Sequence, residues 1–361
     1  MKPQNQVFHY KQAFALELGG ELPELQLTYQ TYGNLNSKNN NVIWICHAFT
    51  GSHDVADWWQ SLVGENKLFN PDKHFIICAN ILGSHYGSTG PLSINPTTQK
   101  PYFHQFPKLT NRDVVKSFIL LRKHLGIRKI QTLIGGSMGG QHALEWGIME
   151  PNTPEELILV ATNAIHSPWG VAFNESQRMA IKTDPSWRNT DKLAGIEGMK
   201  AARAMALLSY RNYETYHITQ ARKENDLQKG IRAISYQQYQ GEKLAGRFNA
   251  YSYYLLSEMM DSQDVGRNRQ GIKEALKTIK AKTLVIGIKS DALFPIIEQE
   301  YLAETIENAY FQKIDSLYGH DGFLIEGGLM TKAIRLWQKS TRLEINPMQE
   351  FFKDLENRKT A

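Results

Sequence analysis

The chain has 361 residues, of which 42% are hydrophobic and 21% are charged, and its formal net charge is +5. This composition is typical of globular proteins, and the length allows one large α/β domain or two domains. No apolar run approaches the roughly 20 residues of a membrane-spanning helix, and no basic block with interleaved aromatic residues predicts nucleic-acid binding. The N-terminal residues lack an apolar signal segment, so we predict a cytoplasmic location. There Cys46 and Cys78 are expected to be reduced core residues, without a disulfide or a zinc site.

Short predicted strands, separated by turns and helices, occupy the first half of the chain. Leu25–Tyr32 alternates between apolar and other residues, which predicts a half-buried strand. Thr110, with Asp113 three residues later, predicts the start of a helix, and Gly126 predicts its end. Continuous apolar runs predict strands buried on both faces at Val42–Cys46 and Phe75–Ala79, and further strands are predicted at Ile130–Ile134 and Leu157–Thr162. This alternation predicts an α/β fold with an open, mostly parallel sheet flanked by helices.

The pattern changes between residues 165 and 278, which we call the lid segment. Strand signals disappear there, and stretches such as Met199–Leu208 and Phe248–Met260 are typical of helices. Strand patterns resume at Thr283–Ile288 and Phe311–Ile314, and a last helix is predicted at Thr331–Thr341. We therefore predict one α/β core, residues 1–164 and 279–361, with a helical insertion at residues 165–278. Such an insertion would cover the carboxyl ends of the strands, where open α/β sheets bind ligands.

The lid segment is mildly basic. Residues 169–280 hold 18 Lys and Arg against 12 Asp and Glu, a surplus of 6 that exceeds the +5 of the whole chain. Two interpretations are open. The cations are either solvated helix faces, or they attract an anionic substrate such as a nucleotide-bearing thioester.

The sequence Gly135-Gly136-Ser137-Met138-Gly139 joins a predicted strand to a predicted helix. Gly-x-Ser-x-Gly in this context is the pattern of a nucleophile elbow, a sharp and strained turn that exposes a serine hydroxyl. Gly135 and Gly139 have no Cβ, so the strand and the helix can pass closely. The helix N-terminus brings its dipole near Ser137. The alternative is a glycine-rich turn whose serine only caps the helix.

A nucleophilic serine needs a histidine that takes its proton and an acid that holds the tautomer of that histidine. In α/β-hydrolase chains these residues follow in the order serine, acid, histidine, each after a strand. Asp291 and His320 each follow one of the last two predicted strands. We therefore predict a triad of Ser137, Asp291 and His320. Asp315 is a competing acid, but it lies too near His320 along the chain.

Acyl transfer also needs N–H groups that point at the developing oxyanion. In this fold one of them belongs to the residue after the nucleophile, which is Met138. The other comes from the loop after an earlier strand, His47–Gly51, where the N–H of Phe49 is the best candidate. His47 lies in that loop, so we predict that it packs there and does not act as a base.

Further stretches, spread over nearly the whole chain, carry a family pattern. They are His47–Ser52, Tyr86–Pro91, Ser93–Pro96, Gly135–Gly140, Ala143–Trp146, Ala172–Glu175 with Arg178, Tyr239–Lys243, Met260–Ser262, Asp264–Arg267, Ser290–Asp291, Leu293–Pro295 and Tyr318–Glu326. With them the chain resembles the homoserine O-acetyltransferases, a family of the α/β-hydrolase superfamily. A generic esterase shares the elbow but not this set. Ser84-His85 departs from the glycine and cysteine of many members, which could alter the rim of the pocket.

The resemblance implies an α/β-hydrolase fold and transfer of an acetyl group from acetyl-CoA, as co-substrate, to the hydroxyl of L-homoserine on the route to methionine. It implies Arg178 as the ligand of the homoserine carboxylate, Asp321 as the ligand of its ammonium group, and a homodimer formed through the lid. No metal or other cofactor is expected. The alternatives are a succinyl donor, a serine acceptor, a carboxylesterase, and an inactive hydrolase-fold binding protein, although the last predicts a lost triad residue and none is missing.

Overall fold

A computed structural model describes residues 4–223 and 230–343. Its strands are β1 (Gln4–Tyr10), β2 (Phe14–Ala15), β3 (Glu21–Leu22), β4 (Leu25–Tyr32), β5 (Val42–Cys46), β6 (Phe75–Ala79), β7 (Ile94–Asn95), β8 (Lys100–Pro101), β9 (Ile130–Gly136), β10 (Pro154–Val160), β11 (Lys282–Ile288) and β12 (Ala309–Ile314). Eight of them form one sheet in the order β1-β4-β6-β5-β9-β10-β11-β12. From β6 to β12 all neighbours are parallel, while β4 is antiparallel to both β1 and β6.

Helices cover both faces of this sheet. The described α-helices are Val55–Trp58, Asn111–His124, Met138–Met149, Pro168–Thr183, Ile196–Tyr210, Tyr213–Thr219, Arg232–Ala245, Ala250–Asp261, Ile272–Lys277, Ile296–Thr305, Gly322–Ile325 and Gly327–Leu343. Strand β5 shows how the core is divided. Trp44 packs in one apolar cluster with the helices that follow β6 and β9, and Ile45 packs in a second cluster with Trp337. The strand is thus buried on both faces, as its continuous apolar run predicts.

The fold class predicted from the sequence is confirmed. The helix at Asn111 begins with the predicted capping box, in which Thr110 and Asp113 satisfy each other's backbone N–H groups. Strand β10 begins and ends earlier than predicted, and beyond its end Ala161 takes a left-handed conformation with φ of 46°. Strand β1 was not predicted from the sequence, because its residues are mostly polar and, among residues 5–10, only Phe8 has a buried side chain.

Every element described between β10 and β11 is helical. This agrees with the predicted position of the lid segment, while the division into domains stays a prediction. The predicted boundaries also include residues 1–3, 224–229 and 344–361, which lie outside the described residues. In the part of the chain that is described, none of the helices combines the length and the apolar character required to cross a bilayer.

Candidate active site

Ser137 lies at a sharp turn between β9 and the helix Met138–Met149. Its backbone has φ of 57° and ψ of −128°, a strained conformation for a residue with a side chain. A Cβ on Gly135 would lie 2.1 Å from the carbonyl oxygen of Gly139, and one on Gly139 would lie 2.1 Å from that of Cys46. Any side chain larger than hydrogen at either position would therefore force the helix away from the sheet. The turn has the geometry expected of a nucleophile elbow.

Ser137, His320 and Asp291 form a continuous hydrogen-bonded chain, although they are separated by long stretches of sequence. The hydroxyl of Ser137 donates to Nε2 of His320 at 2.8 Å, and Nδ1 of His320 donates to Oδ2 of Asp291 at 2.6 Å. The second bond places the proton on Nδ1 and leaves the Nε2 lone pair for the serine. This is the arrangement in which an imidazole can take a hydroxyl proton.

Two further interactions fix the acid and the imidazole. Oδ1 of Asp291 accepts hydrogen bonds from the backbone N–H groups of Leu293 and Phe294, both at 2.9 Å. The ring of Phe294 stacks on that of His320, with centroids 5.0 Å apart and planes 20° apart. The carboxylate therefore has one oxygen held by the backbone and the other free to orient the histidine. All three triad side chains are buried.

The residues of the two predicted oxyanion donors both lie close to the serine. Phe49 lines the same pocket as Ser137, and Met138 is the first residue of the helix that follows it. The first N–H groups of a helix have no partner inside the helix, so that of Met138 is free to point at a ligand. The loop that carries Phe49 is tight, because Gly51 N–H donates to the carbonyl of Ala48 at 2.9 Å.

His47 holds this loop against the neighbouring chain. Its Nε2 accepts the backbone N–H of Ile81 at 3.0 Å, so its Nδ1 carries the proton and donates to the carbonyl of Ala48 at 2.9 Å. Burial lowers the pKa of His47 to about 4. Both nitrogens are thus committed to the backbone, and the ring has no free nitrogen with which to act as a base.

Ser137 and His320 open into a pocket of about 540 Å³. The core contributes most of its floor, including Phe49, Phe323, Ser137 and His320. The lid segment contributes four polar side chains, which are Arg203, Tyr210, Lys243 and Arg247. The pocket is therefore assembled from both parts of the chain, at the carboxyl ends of the strands, where α/β sheets bind ligands.

Residues 41–326 match the family model of the alpha/beta hydrolase fold. The chain is also 48% identical over 321 residues to a homoserine O-acetyltransferase of Cyclobacterium marinum, which covers 89% of this chain and 91% of that protein. This chain belongs to the homoserine O-acetyltransferase family. The structure is similar to the crystal structure of homoserine O-acetyltransferase from Bacillus anthracis, with a TM-score of 0.85, 25% identity, and coverage of 94% of this chain and 97% of that chain. Its similarity to esterase E22, with a TM-score of 0.84, 24% identity, and coverage of 93% and 100%, shows the shared fold alone.

Arg178, the expected carboxylate ligand of this homoserine O-acetyltransferase family member, is not among the residues that line the pocket. Its guanidinium pairs with Asp261 at 2.6 Å and with Glu175 at 2.8 Å, and Nη1 donates to Ser257 at 3.3 Å. These bonds hold the helix Pro168–Thr183 against Ala250–Asp261, and the Arg178 side chain is buried between them. The structure therefore places Arg178 outside the pocket that contains Ser137, with its charge already paired within the lid segment.

Asp321, the predicted ligand of the ammonium group, does line the pocket. Its side chain is 15% exposed, and its Oδ2 lies 2.9 Å from Nε of Arg211, an ion pair from the lid segment. Burial raises the pKa of Asp321, and the neighbouring Arg211 and Arg203 oppose that rise. The structure thus places a carboxylate directly after His320, facing the space above the nucleophile.

The sequence analysis missed Arg203. It is half-buried in the pocket wall, and its guanidinium lies 5.3 Å from the ring centroid of Tyr210. Within the described residues no carboxylate lies at ion-pair distance from it. Arg203 lies within the predicted helix Met199–Leu208, and Tyr210, seven residues later, shares its face in the observed helix Ile196–Tyr210. That spacing does not predict which of the lid helices brings an arginine into the pocket with Ser137.

The departure Ser84-His85 lies beside the pocket. The side-chain amide of Asn249 donates to Nδ1 of His85 at 2.8 Å, and the ring of His85 lies 5.5 Å from that of Tyr86, which lines the pocket. His85 therefore reaches the rim through Tyr86 and not by direct contact.

Proposed function

We propose that this enzyme transfers an acetyl group from acetyl-CoA to the hydroxyl of L-homoserine in two steps, through an acetylated Ser137. Family membership supports the reaction. The observation that carries the mechanism is one pocket that joins a serine–histidine–aspartate chain to an arginine and a carboxylate of opposite charge. The first set can accept and release an acyl group, and the second set matches the two charges of an amino acid.

In the first step, Oγ of Ser137 attacks the thioester carbonyl while Nε2 of His320 takes the hydroxyl proton. Asp291 stabilises the resulting imidazolium through Nδ1–H. The N–H groups of Phe49 and Met138 donate to the oxyanion. The intermediate collapses as the C–S bond breaks, and the histidine returns the proton to the CoA sulfur. The products are free CoA and acetyl-Ser137.

In the second step, the homoserine hydroxyl occupies the place that CoA has left. His320 takes its proton, and the alkoxide oxygen attacks the acetyl carbon. A second oxyanion forms in the same site, the bond to Ser137 breaks, and the serine oxygen regains the proton from His320. Each proton in the scheme passes through His320, so acetyl-CoA and homoserine are its only reactants. Independence from metals and cofactors stays a prediction.

The acceptor is held by its charges. We assign the carboxylate of homoserine to Arg203, whose guanidinium can form two parallel hydrogen bonds with it. We assign the ammonium group to Asp321. An uncharged alcohol would leave the half-buried Arg203 without a carboxylate partner and would therefore be disfavoured. Water must also be kept from the acetyl-enzyme, and the lid side chains over the serine are placed to do so.

We further propose a homodimer through the lid segment. Large apolar side chains on its helices are exposed, among them Met179 at 57%, Met205 at 41% and Leu208 at 59%. Met179 and Met205 also line a groove of about 670 Å³ between the helices Pro168–Thr183 and Ile196–Tyr210. Apolar patches of this kind mark interaction surfaces in proteins. The route to methionine and the cytoplasmic location are inferred from the family and from the sequence, and they stay predictions.

The first experiment follows free thiol while the purified enzyme is supplied with acetyl-CoA or succinyl-CoA and with homoserine or serine. Of the four combinations, only acetyl-CoA with homoserine is expected to give rapid thiol release. Continued release beyond one equivalent per enzyme without an acceptor would indicate a hydrolase, and sustained release with succinyl-CoA or serine would reassign the donor or the acceptor. No release in any combination would contradict the proposal.

A second experiment addresses the acetyl-enzyme. Intact-mass spectrometry of the enzyme mixed with acetyl-CoA alone should show one added acetyl group, which Ser137→Ala lacks. That variant should also lose at least about 10³-fold in turnover, because the residual rate depends on binding and oxyanion stabilisation alone. Near-normal turnover of folded Ser137→Ala would refute the covalent mechanism.

A further inference from the structure

Lys243 and Arg247 lie at the open end of the active-site pocket. Lys243 is in the last turn of the helix Arg232–Ala245, and Arg247 follows that helix by two residues. Both line the pocket that contains Ser137, and both side chains are exposed. The triad at the floor is buried, and Arg203 in the pocket wall is half-buried. The pocket thus has an enclosed floor and a cationic, solvent-facing rim.

The charges of this rim are not neutralised by neighbouring carboxylates. No carboxylate among the described residues lies within ion-pair distance of Lys243. Arg247 contacts neutral groups, donating to the carbonyl of Thr50 at 2.7 Å and to the hydroxyl of Tyr86. The acidic residue that also lines this end is Asp57, which is exposed.

Other lid cations differ from these two. Arg178 pairs with Asp261, Lys200 pairs with Glu197 and Glu242, and Arg211 pairs with Asp321. The unpaired positive charge near the pocket is therefore concentrated at its opening and on Arg203. A rim of this kind attracts an anion that is larger than the pocket and remains partly outside it.

The proposed acyl donor has this shape and charge. Acetyl-CoA carries its thioester at the end of an uncharged arm and its phosphates at the other end. A pocket of about 540 Å³ can enclose the acetyl group and part of the arm, but not the nucleotide as well. With the thioester at Ser137, the arm leaves the phosphates at or beyond the opening.

We propose that Lys243 and Arg247 bind the phosphate groups of the acyl donor and so make the enzyme selective for phosphate-bearing thioesters. This inference rests on the proposed function, and it names the part of the site that recognises the donor. It also selects between the two interpretations of the basic lid segment, since these two cations bind substrate. Arg247 has a second role, because its bond to Thr50 holds the loop that carries Phe49.

Lys243→Met tests the proposal, since its side chain is exposed and holds no ion pair whose loss would unfold the helix. The measurement is kcat/KM with acetyl-CoA and with S-acetylpantetheine, which has the same thioester and arm but no phosphate, at saturating homoserine. The expected result is a fall of about tenfold in the ratio of the two values, since charge-assisted hydrogen bonds to phosphate are lost only with acetyl-CoA. The preference of the wild type for acetyl-CoA should also shrink as salt rises from 0.05 M to about 0.5 M.

Lys273→Met is the matched control, because Lys273 is another exposed lid lysine and does not line the pocket. It should retain both rates and their ratio. An unchanged ratio in Lys243→Met, or equal losses with both thioesters, would overturn the phosphate site. If the wild type used neither thioester with homoserine, the proposed function itself would fail, and the two failures are therefore distinguishable.

Discussion

Replacing Arg203 with methionine separates acceptor binding from acyl transfer. Methionine keeps much of the length of the side chain but removes the guanidinium that we assign to the carboxylate of homoserine. Two parallel charge-assisted hydrogen bonds in a half-buried site contribute about 3 kcal/mol. At about 1.4 kcal/mol per tenfold, kcat/KM for homoserine should fall by about 100- to 200-fold. Formation of the acetyl-enzyme should be little changed, because Arg203 takes no part in the first step.

Arg178→Met is the matched comparison, because the sequence analysis assigned the same role to Arg178. The structure instead predicts a loss of stability. Removing one partner of a buried ion pair costs about 3 kcal/mol. With an unfolding entropy of about 2.1 cal/mol/K per residue, a chain of 361 residues should show a Tm lower by about 4 °C. Its KM for homoserine should stay near that of the wild type.

The assay combines rapid-quench mass spectrometry of the acetyl-enzyme with steady-state thiol release at varied homoserine. Thermal unfolding is measured on the same samples. Arg203→Lys adds a test of geometry, since it keeps the charge but not the planar fork, and it should recover only part of the loss. The assignment is refuted if Arg203→Met slows acetylation as much as acceptor use. It is also refuted if Arg178→Met impairs homoserine use at an unchanged Tm.

Three more predictions follow from burial and charge. Asp321→Asn should lower kcat/KM for homoserine by about 100-fold. Because the pKa of Asp321 is raised, the KM of the wild type for homoserine should rise on acidification at a higher pH than an ordinary aspartate would give. A KM that does not change with pH would contradict this role. Burial lowers the pKa of His142 to about 3 and that of His47 to about 4 from an ordinary 6.5, so stability is fully present above pH 6.5 and is lost as the pH falls toward 4. Between these pH values, each histidine should lower the free energy of unfolding by about 1.4 kcal/mol per pH unit. Urea unfolding at several pH values should therefore show a weaker dependence of that free energy on pH in His142→Leu, by the equivalent of one proton. Met205→Asp should convert the dimer to monomers, as measured by sedimentation velocity. A wild-type enzyme that is itself monomeric would contradict the proposed dimer.

The triad could be predicted from the sequence because its positions depend on local patterns and one rule of chain order. The elbow requires glycines where a Cβ would collide with the backbone, and Gly135 and Gly139 show that requirement in their spacing. Asp291 follows a strand with a short apolar run, and His320 follows the last predicted strand, Phe311–Ile314. Because carboxyl ends of parallel strands meet at one edge of the sheet, residues far apart in sequence could be expected to converge there.

The acceptor site could not be predicted in the same way. Arg178 and Arg203 are both arginines on helices of the lid segment, with similar neighbours in sequence. Asp261, 83 residues further along the chain, pairs with Arg178 outside the pocket, whereas Arg203 lines the pocket without a carboxylate partner among the described residues. The sequence by itself determined the fold, the nucleophile and the order of its partners, because those follow from periodicity and backbone sterics. Only the tertiary structure decided which cations are free to meet a substrate, because that depends on how the lid helices pack against one another and over the sheet.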